Sequence, residues 1–318
     1  TARARLRTAR GRAAGAASAS GGEGQKKRAV ITGGSGGLGL RTAVVLAERG
    51  YDVVLGCRDA AKGAEARAAV AAAGAATNVS VDVEELDLSD LASVRAFAQR
   101  VGAAPVDVLV NNAGIMATPQ GRLTKDGFDA QMGVNHLGHH LLVRELLPAL
   151  RAAGTPESPA RVVVVSSAIH ASCKELDPAK LGEPMEEYTP FGAYANSKAA
   201  NVLFTRELAR RLEAEGAHVT ANALCPGLVA TDLGRYITDG VAWYERPFKR
   251  ALLWFTMARA KTVEEGALTH IYLASSDEVE GESGGYFVDC APADPSDLSR
   301  DDALAAAVWE ASEALVDA

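Results

Sequence analysis

The stretch Ile31–Leu40, ITGGSGGLGL, constrains this chain more than any other. It follows a short apolar run, RAVIT, and leads into LRTAVVLAERG, an amphipathic segment that ends at Gly50. Two parsings compete. From Gly33 to Gly37 the motif is G-x-S-x-G, the turn that presents a nucleophilic serine. From Thr32 to Gly39 it is T-G-x-x-x-G-x-G, a glycine turn able to hold the phosphates of a dinucleotide. A nucleophile turn lies well inside a sheet, after several strands, whereas this one follows the first strand. Gly39 adds a third glycine one turn into the helix, where close helix–strand packing needs it. A helix beginning there aims free N–H groups and a positive dipole at an anion. The phosphate reading therefore wins. Ser35 becomes a phosphate neighbour, in a cofactor-binding set with Gly33, Gly37, Leu38 and Gly39.

The rest of the chain alternates in the same way. DVVLGC, VSVDVEELD, VDVLVNN, RVVVVSS and HVTANALCPG read as further strands. Between them lie helical stretches, among them FDAQMGVNHLGHHLLVRELLPALRAAG and YANSKAANVLFTRELARRLEAEG. The strands are Val-, Ile- and Leu-rich with little polar alternation, as expected when helices cover both faces of a parallel sheet. The expected fold class is α/β, a single doubly wound Rossmann domain over residues 26–318 with a mostly parallel seven-stranded sheet. The closing stretch DDALAAAVWEASEALVDA reads as an amphipathic helix covering the domain.

Bulk properties exclude several functions. The 318 residues carry a formal net charge of −7, and the body lacks a basic tract, which argues against nucleic acid as a partner. The four cysteines are scattered without a C-x-x-C, which argues against zinc or disulfide frameworks and for a reduced compartment. No metal site is expected. No apolar run approaches the roughly 18 residues needed to cross a bilayer. Residues 1–25 differ: TARARLRTARGRAAGAASASGG holds five arginines and no acid. It reads as an organelle transit peptide or a disordered basic tail. Composition does not separate chloroplast from mitochondrion; the chloroplast is preferred, with the cytoplasm as the alternative.

Ligands of such sheets bind at the carboxyl ends of the strands. Arg58 stands at the end of the second strand, where a carboxylate would suit the ribose diol of NAD. An arginine suits the 2′-phosphate of NADP; the bland alternative is a solvated surface side chain. Asp87, with Leu88 beside it, ends the third strand within reach of an adenine amino group. Asn112, Ala113 and Gly114 end the fourth and let backbone pass close to a cofactor. Ser167 lies at the end of the fifth. Tyr194 and Lys198 stand four residues apart and share a helix face. A lysine ammonium near a phenol favours phenolate, so Tyr194 is expected to have a lowered pKa and to act as general acid or base. Ser167 can hold a substrate oxygen, Lys198 can bond the nicotinamide ribose, and Asn135 can anchor a water that feeds protons to Lys198.

Together TGGSGGLG, NNAG, Asn135, Ser167, YANSK and the Pro226-Gly227 turn resemble the short-chain dehydrogenase/reductase family over residues 28 to about 290. GCRDAAKG, DGFDAQMGVNHLGHHLL, SKAANVLFTRELARRL and SGGYFVDC resemble its retinol dehydrogenase branch, which includes protochlorophyllide reductases. The resemblance implies NADP(H) and hydride transfer between nicotinamide and a carbonyl or alcohol. It implies a catalytic set of Asn135, Ser167, Tyr194 and Lys198. Pro226, Gly227, Val229 and Thr231 would join the cofactor site. A substrate lid is placed at about residues 228–262, where aromatic and basic residues mix, and a bulky lipophilic, retinoid-like substrate is preferred. Plain core packing, or a helix lying on a membrane surface, are the alternatives there. Ala199 and Ala200 follow Lys198 where protochlorophyllide reductases carry a cysteine, which disfavours that activity. An NADP(H)-sensing subunit of a membrane complex is a further alternative. The two long helices, around 128–153 and 189–215, are candidates for pairing in a homodimer. His136, His139 and His140 read as ordinary helix-face residues, His170 as a candidate lining residue, and Cys173 as a passive loop residue.

Overall fold

The computed structural model describes residues 26–229 and 260–318. The tail, Thr231 and most of the expected lid lie outside them. Eight strands form one sheet in the order β3-β2-β1-β4-β5-β6-β7-β8. They are β1 (Arg28–Thr32), β2 (Asp52–Cys57), β3 (Val81–Glu85), β4 (Val108–Asn111), β5 (Ala160–Val165), β6 (Val219–Cys225), β7 (Tyr286–Val288) and β8 (Ala291–Pro292). Strands β1 to β7 are parallel, and β8 pairs antiparallel with β7. The seven expected strands are thus joined by an eighth of two residues. Its type of hairpin, with Asp289 and Cys290 both at positive φ, is one that sequence signals tie to glycine or asparagine.

The strand period sorts the core into two layers. Val30, Val54, Leu109, Val162 and Val164 face one side, against α3 (Leu91–Val101), α4 (Gly138–Ala153) and α5 (Pro190–Ala214). Ala29, Ile31, Val53, Leu55, Val108 and Val110 face the other, against α1 (Gly37–Glu48), α2 (Ala60–Ala73) and α6 (Val263–Ser275). Both faces are covered, which is why the strands read as unbroken apolar runs. The order reverses between β1 and β4, and the crevice at that switch point is where such a sheet receives ligands.

The last helix, α7 (Asp302–Asp317), lies across α4 and α5. Trp309 stacks on Phe204 with ring centroids 5.5 Å apart, and the Arg211 guanidinium sits 4.7 Å from the Trp309 ring. Arg206 pairs with Asp302 at 2.6 Å, and Arg144 reaches Glu313 and Asp317 at 2.8 and 2.7 Å. At these positions α4 and α5 are packed by the chain's own C-terminal helix. Trp309→Ala should lower unfolding free energy by about 3–5 kcal/mol, the usual loss for truncating a buried large aromatic. Urea unfolding measures this. A change under about 1 kcal/mol would show that α7 is merely laid on the surface.

Candidate active site

The glycine turn after β1 is built by backbone. Gly33 and Gly37 adopt φ of +66° and +53°, which side-chain-bearing residues rarely take. A Cβ on Gly39 would lie 2.5 Å from the Gly33 carbonyl oxygen, so only glycine lets α1 approach the turn this closely. Helix α1 starts at Gly36 without a side-chain cap, whereas Asp59 and Asp90 close the starts of α2 and α3 with bonds to two amides each. The first amides of α1 are thus left for an anion.

These elements open onto a cavity of about 700 Å³, within the usual range for a cofactor site. Its wall contains Gly33, Ser35, Gly37 and Leu38 from the turn, Arg58 after β2, and Asp87 and Leu88 after β3. It continues through Asn112, Ala113 and Gly114, then Ser167, Tyr194 and Lys198, and closes with Pro226, Gly227 and Val229. Gly39 and Asn135 stand behind the wall rather than in it. The Asp87 carboxylate accepts from the amide and hydroxyl of Ser89, at 3.0 and 2.6 Å, which fixes its loop.

Helix α5 brings Tyr194 and Lys198 to this wall. Thr189 caps it, accepting from Gly192 N, and Pro190 supplies its first turn. Lys198 Nζ donates to Val165 O at 2.9 Å, and Ser166 Oγ donates to Lys198 O at 2.8 Å, so α5 is pinned to the end of β5. Lys198 Nζ lies 5.7 Å from the centre of the Tyr194 ring. Asn135 lies in one turn of π-helix, Gly133–Leu137, a distortion common at functional sites. Its Oδ1 accepts from Ile115 N at 2.8 Å, while Nδ2 donates to Ile115 O at 2.9 Å and to Ser197 Oγ at 3.0 Å.

One electrostatic expectation is overturned. Burial raises the Tyr194 phenol above its ordinary value, with the Ser167 hydroxyl acting in the opposite direction. Burial also lowers the Lys198 ammonium to about 8. Desolvation penalises both charged forms. His170 also departs from expectation. It stands outside the wall, donating from Nδ1 to Ser167 O at 2.7 Å, accepting from Ser296 N at 3.0 Å, and packing on Tyr286. It shapes the loop that carries Ser167. Cys173 is buried, with its thiol pushed up to about 11, and all four cysteines are free. His136 Nε2 donates to Ser312 Oγ, whose own proton goes to Val308 O, and His140 bonds Glu313, so these two rings fasten α7. Among the described residues no cluster of His, Cys, Asp or Glu could hold a metal ion, and no helix is long and apolar enough to cross a membrane.

Reading by motif missed Lys62, which follows Arg58 by four residues and shares its wall. The signal was the second cation of GCRDAAKG. It also missed Ser166 and Thr32, whose roles arise from contacts distant in sequence.

The cleft, the turn and the Ser–Tyr–Lys grouping define a dinucleotide-dependent oxidoreductase fold. The chain belongs to the short-chain dehydrogenase family, whose model matches residues 27–178 and 180–242, and it falls in the retinol dehydrogenase-like branch. Retinol dehydrogenase 14 of Mus musculus is 43% identical over 300 residues, spanning 91% of this chain and 86% of that protein. Polyprenol dehydrogenase of Mus musculus is 41% identical over 283 residues, spanning 88% and 81%. Among solved structures, the Pseudomonas aeruginosa RhlG/NADP active-site complex superposes with a TM-score of 0.63 at 28% identity, covering 82% of this chain and 93% of that one.

Proposed function

We propose that this chain is an NADP(H)-dependent oxidoreductase that reduces the carbonyl of a bulky lipophilic substrate to an alcohol. The observation that carries the reading is the meeting of Ser167, Tyr194 and Lys198 in one cavity with an uncapped glycine turn. A bound nicotinamide supplies the hydride. Ser167 holds the substrate oxygen, and Tyr194 gives that oxygen its proton as charge develops on it. Burial favours the protonated phenol, the form that serves as an acid. Lys198 would bond the nicotinamide ribose, while Asn135, expected to anchor a proton-relaying water, instead holds the Ile115 backbone and Ser197 behind the wall. The retinol and polyprenol named for the two relatives support an apolar substrate here.

Arg58 carries the cofactor preference. It is exposed at the end of β2 with Lys62 on the same wall, and two cations there suit a phosphate on the ribose. Arg58→Asp should weaken NADPH about tenfold or more relative to NADH, the loss of a charge-assisted bond plus like-charge repulsion. Cofactor titration by fluorescence gives the ratio, and an unchanged ratio would take the 2′-phosphate away from Arg58. The function itself is tested by incubating the protein with NADPH and a panel of retinoid, polyprenyl and long aliphatic aldehydes. Loss of absorbance near 340 nm, or the matching alcohol in an extract, is expected. Failure of every apolar aldehyde alongside turnover of a polar one would refute the substrate class. In this reading residues 26–318 are the oxidoreductase domain, and the arginine-rich, acid-free composition of the first 22 residues supports a targeting role for that stretch.

A further inference from the structure

Two segments far apart in sequence form the floor of the cavity, the glycine turn after β1 and the Asn112–Gly114 loop after β4. A single hydroxyl holds them together. Thr32 Oγ1 accepts from Asn112 N and from Ala113 N, each at 2.9 Å, while Asn112 Nδ2 donates to Thr32 O at 2.8 Å. A hydroxyl that takes two amide protons must send its own proton elsewhere. Two acceptors are near: Val110 O at 3.4 Å and His139 Nε2 at 2.9 Å, and the closer is the ring.

The ring can take that proton in only one of its forms. His139 Nδ1 lies 3.1 Å from Asn135 O. A carbonyl only accepts, so Nδ1 carries the hydrogen. His139 is buried, and burial holds its pKa down to about 3, so the ring is neutral and Nε2 is bare. Thr32 therefore donates to His139, and both lone pairs of the hydroxyl are released for the loop amides. The packing leaves little slack. A Cβ on Gly33 would lie 3.1 Å from Ala113 Cα, and one on Gly114 would lie 3.1 Å from Asn135 Oδ1 and 3.7 Å from Lys198 Nζ.

We propose that His139 is a positioning residue: a neutral bridge of fixed tautomer that locks the Thr32 hydroxyl onto the Asn112–Gly114 loop and ties both to the Asn135 carbonyl. It sets the cofactor floor and the proton side of the site in one register. This rests on the cavity being the nicotinamide site. Its sequence signal was only the fourth position after Asn135 in VNHLGHH, a place that reads as any helix-face histidine.

Two substitutions separate the two bonds. In His139→Asn the amide nitrogen takes the place of Nδ1, keeping the bond to Asn135 O and losing the acceptor for Thr32. In His139→Gln the amide reaches the place of Nε2, keeping a partner for Thr32 and losing the bond to Asn135 O. For His139→Asn, NADPH affinity should fall about tenfold, the worth of one well-made buried bond, and by more than kcat falls. For His139→Gln the order should reverse, with kcat falling more than affinity. Equal losses in both parameters for both variants, tracking lost stability, would overturn the proposal by making His139 a packing residue. Nitrogen-15 spectra of the unsubstituted protein give a second readout that no folding defect disturbs. A bare Nε2 and a protonated Nδ1, unchanged from pH 5 to 9, are expected. A protonated Nε2 would overturn the bridge. That spectrum needs no cofactor, so it stands even if NADPH fails to bind, an outcome that would instead refute the nicotinamide reading of the cavity.

Discussion

Tyr194→Phe should lower kcat for carbonyl reduction about 10³-fold while leaving the folded structure and NADPH binding close to native. The size follows from the loss of a positioned general acid, which contributes about 10²–10⁴-fold. The ring is buried on α5 and the substitution removes one oxygen, so no cavity forms. The charge arriving on the substrate oxygen then finds only the Ser167 hydroxyl. Because burial raises the phenol, the proton is in place at neutral pH, and the rate should not decline below pH 8 for want of it. Stopped-flow reduction with saturating NADPH gives kcat free of binding. A variant that keeps more than a tenth of the native rate would remove Tyr194 from the acid role and leave Ser167 or a water in its stead.

The second large effect is a loss of stability in weak acid. An unfolded histidine takes its proton near pH 6.5. In the folded chain burial holds His136 and His139 down to about 3 and His270 to about 4. Between those values and 6.5 the unfolded chain binds more protons than the folded one, so stability falls as pH is lowered. At pH 5 each ring costs about 2 kcal/mol, and the three together about 6 kcal/mol. That is comparable with the whole stability of many domains. The Glu313 carboxyl, held at about 2 chiefly by its bond from His140, acts with the same sign in a lower pH window. Its contribution is fully present above about pH 4.5 and is lost only as pH falls toward 2, so the two windows separate. Urea midpoints should drop steeply from pH 6.5 to 5. His136→Gln, whose amide can still donate to Ser312, should make the fall between pH 6.5 and 5 smaller by about 2 kcal/mol. A midpoint indifferent to pH between 5 and 6.5 would mean that the rings are reached by water.

Much of this was legible in the chain. The alternation of Val-rich runs with amphipathic stretches gave the sheet and its two helical layers, because period and length are local properties. The glycines of the turn were legible because their roles are backbone roles. Tyr194 and Lys198 could be paired because four residues is one helical turn. What stayed hidden depends on contacts between distant segments. The packing of α7 over α4 and α5 sets Trp309 against Phe204, about a hundred positions apart, and no pattern in either helix announces it. The raised Tyr194 phenol is a matter of burial, which a Y-x-x-x-K spacing does not carry. The Thr32–His139 bond spans 107 positions, so its histidine looked like its neighbours. The two-residue β8 is too short for any periodicity.

The most direct test of the central claim follows the hydride. NADPH carrying deuterium on both C4 positions is turned over with a retinoid or polyprenyl aldehyde, and the extracted alcohol is weighed by mass spectrometry. One deuterium per alcohol, located on the carbinol carbon, is the expected result. Alcohol formed without the label would contradict hydride transfer from the nicotinamide. Tight NADPH binding with no alcohol from any aldehyde or ketone would contradict the oxidoreductase account itself.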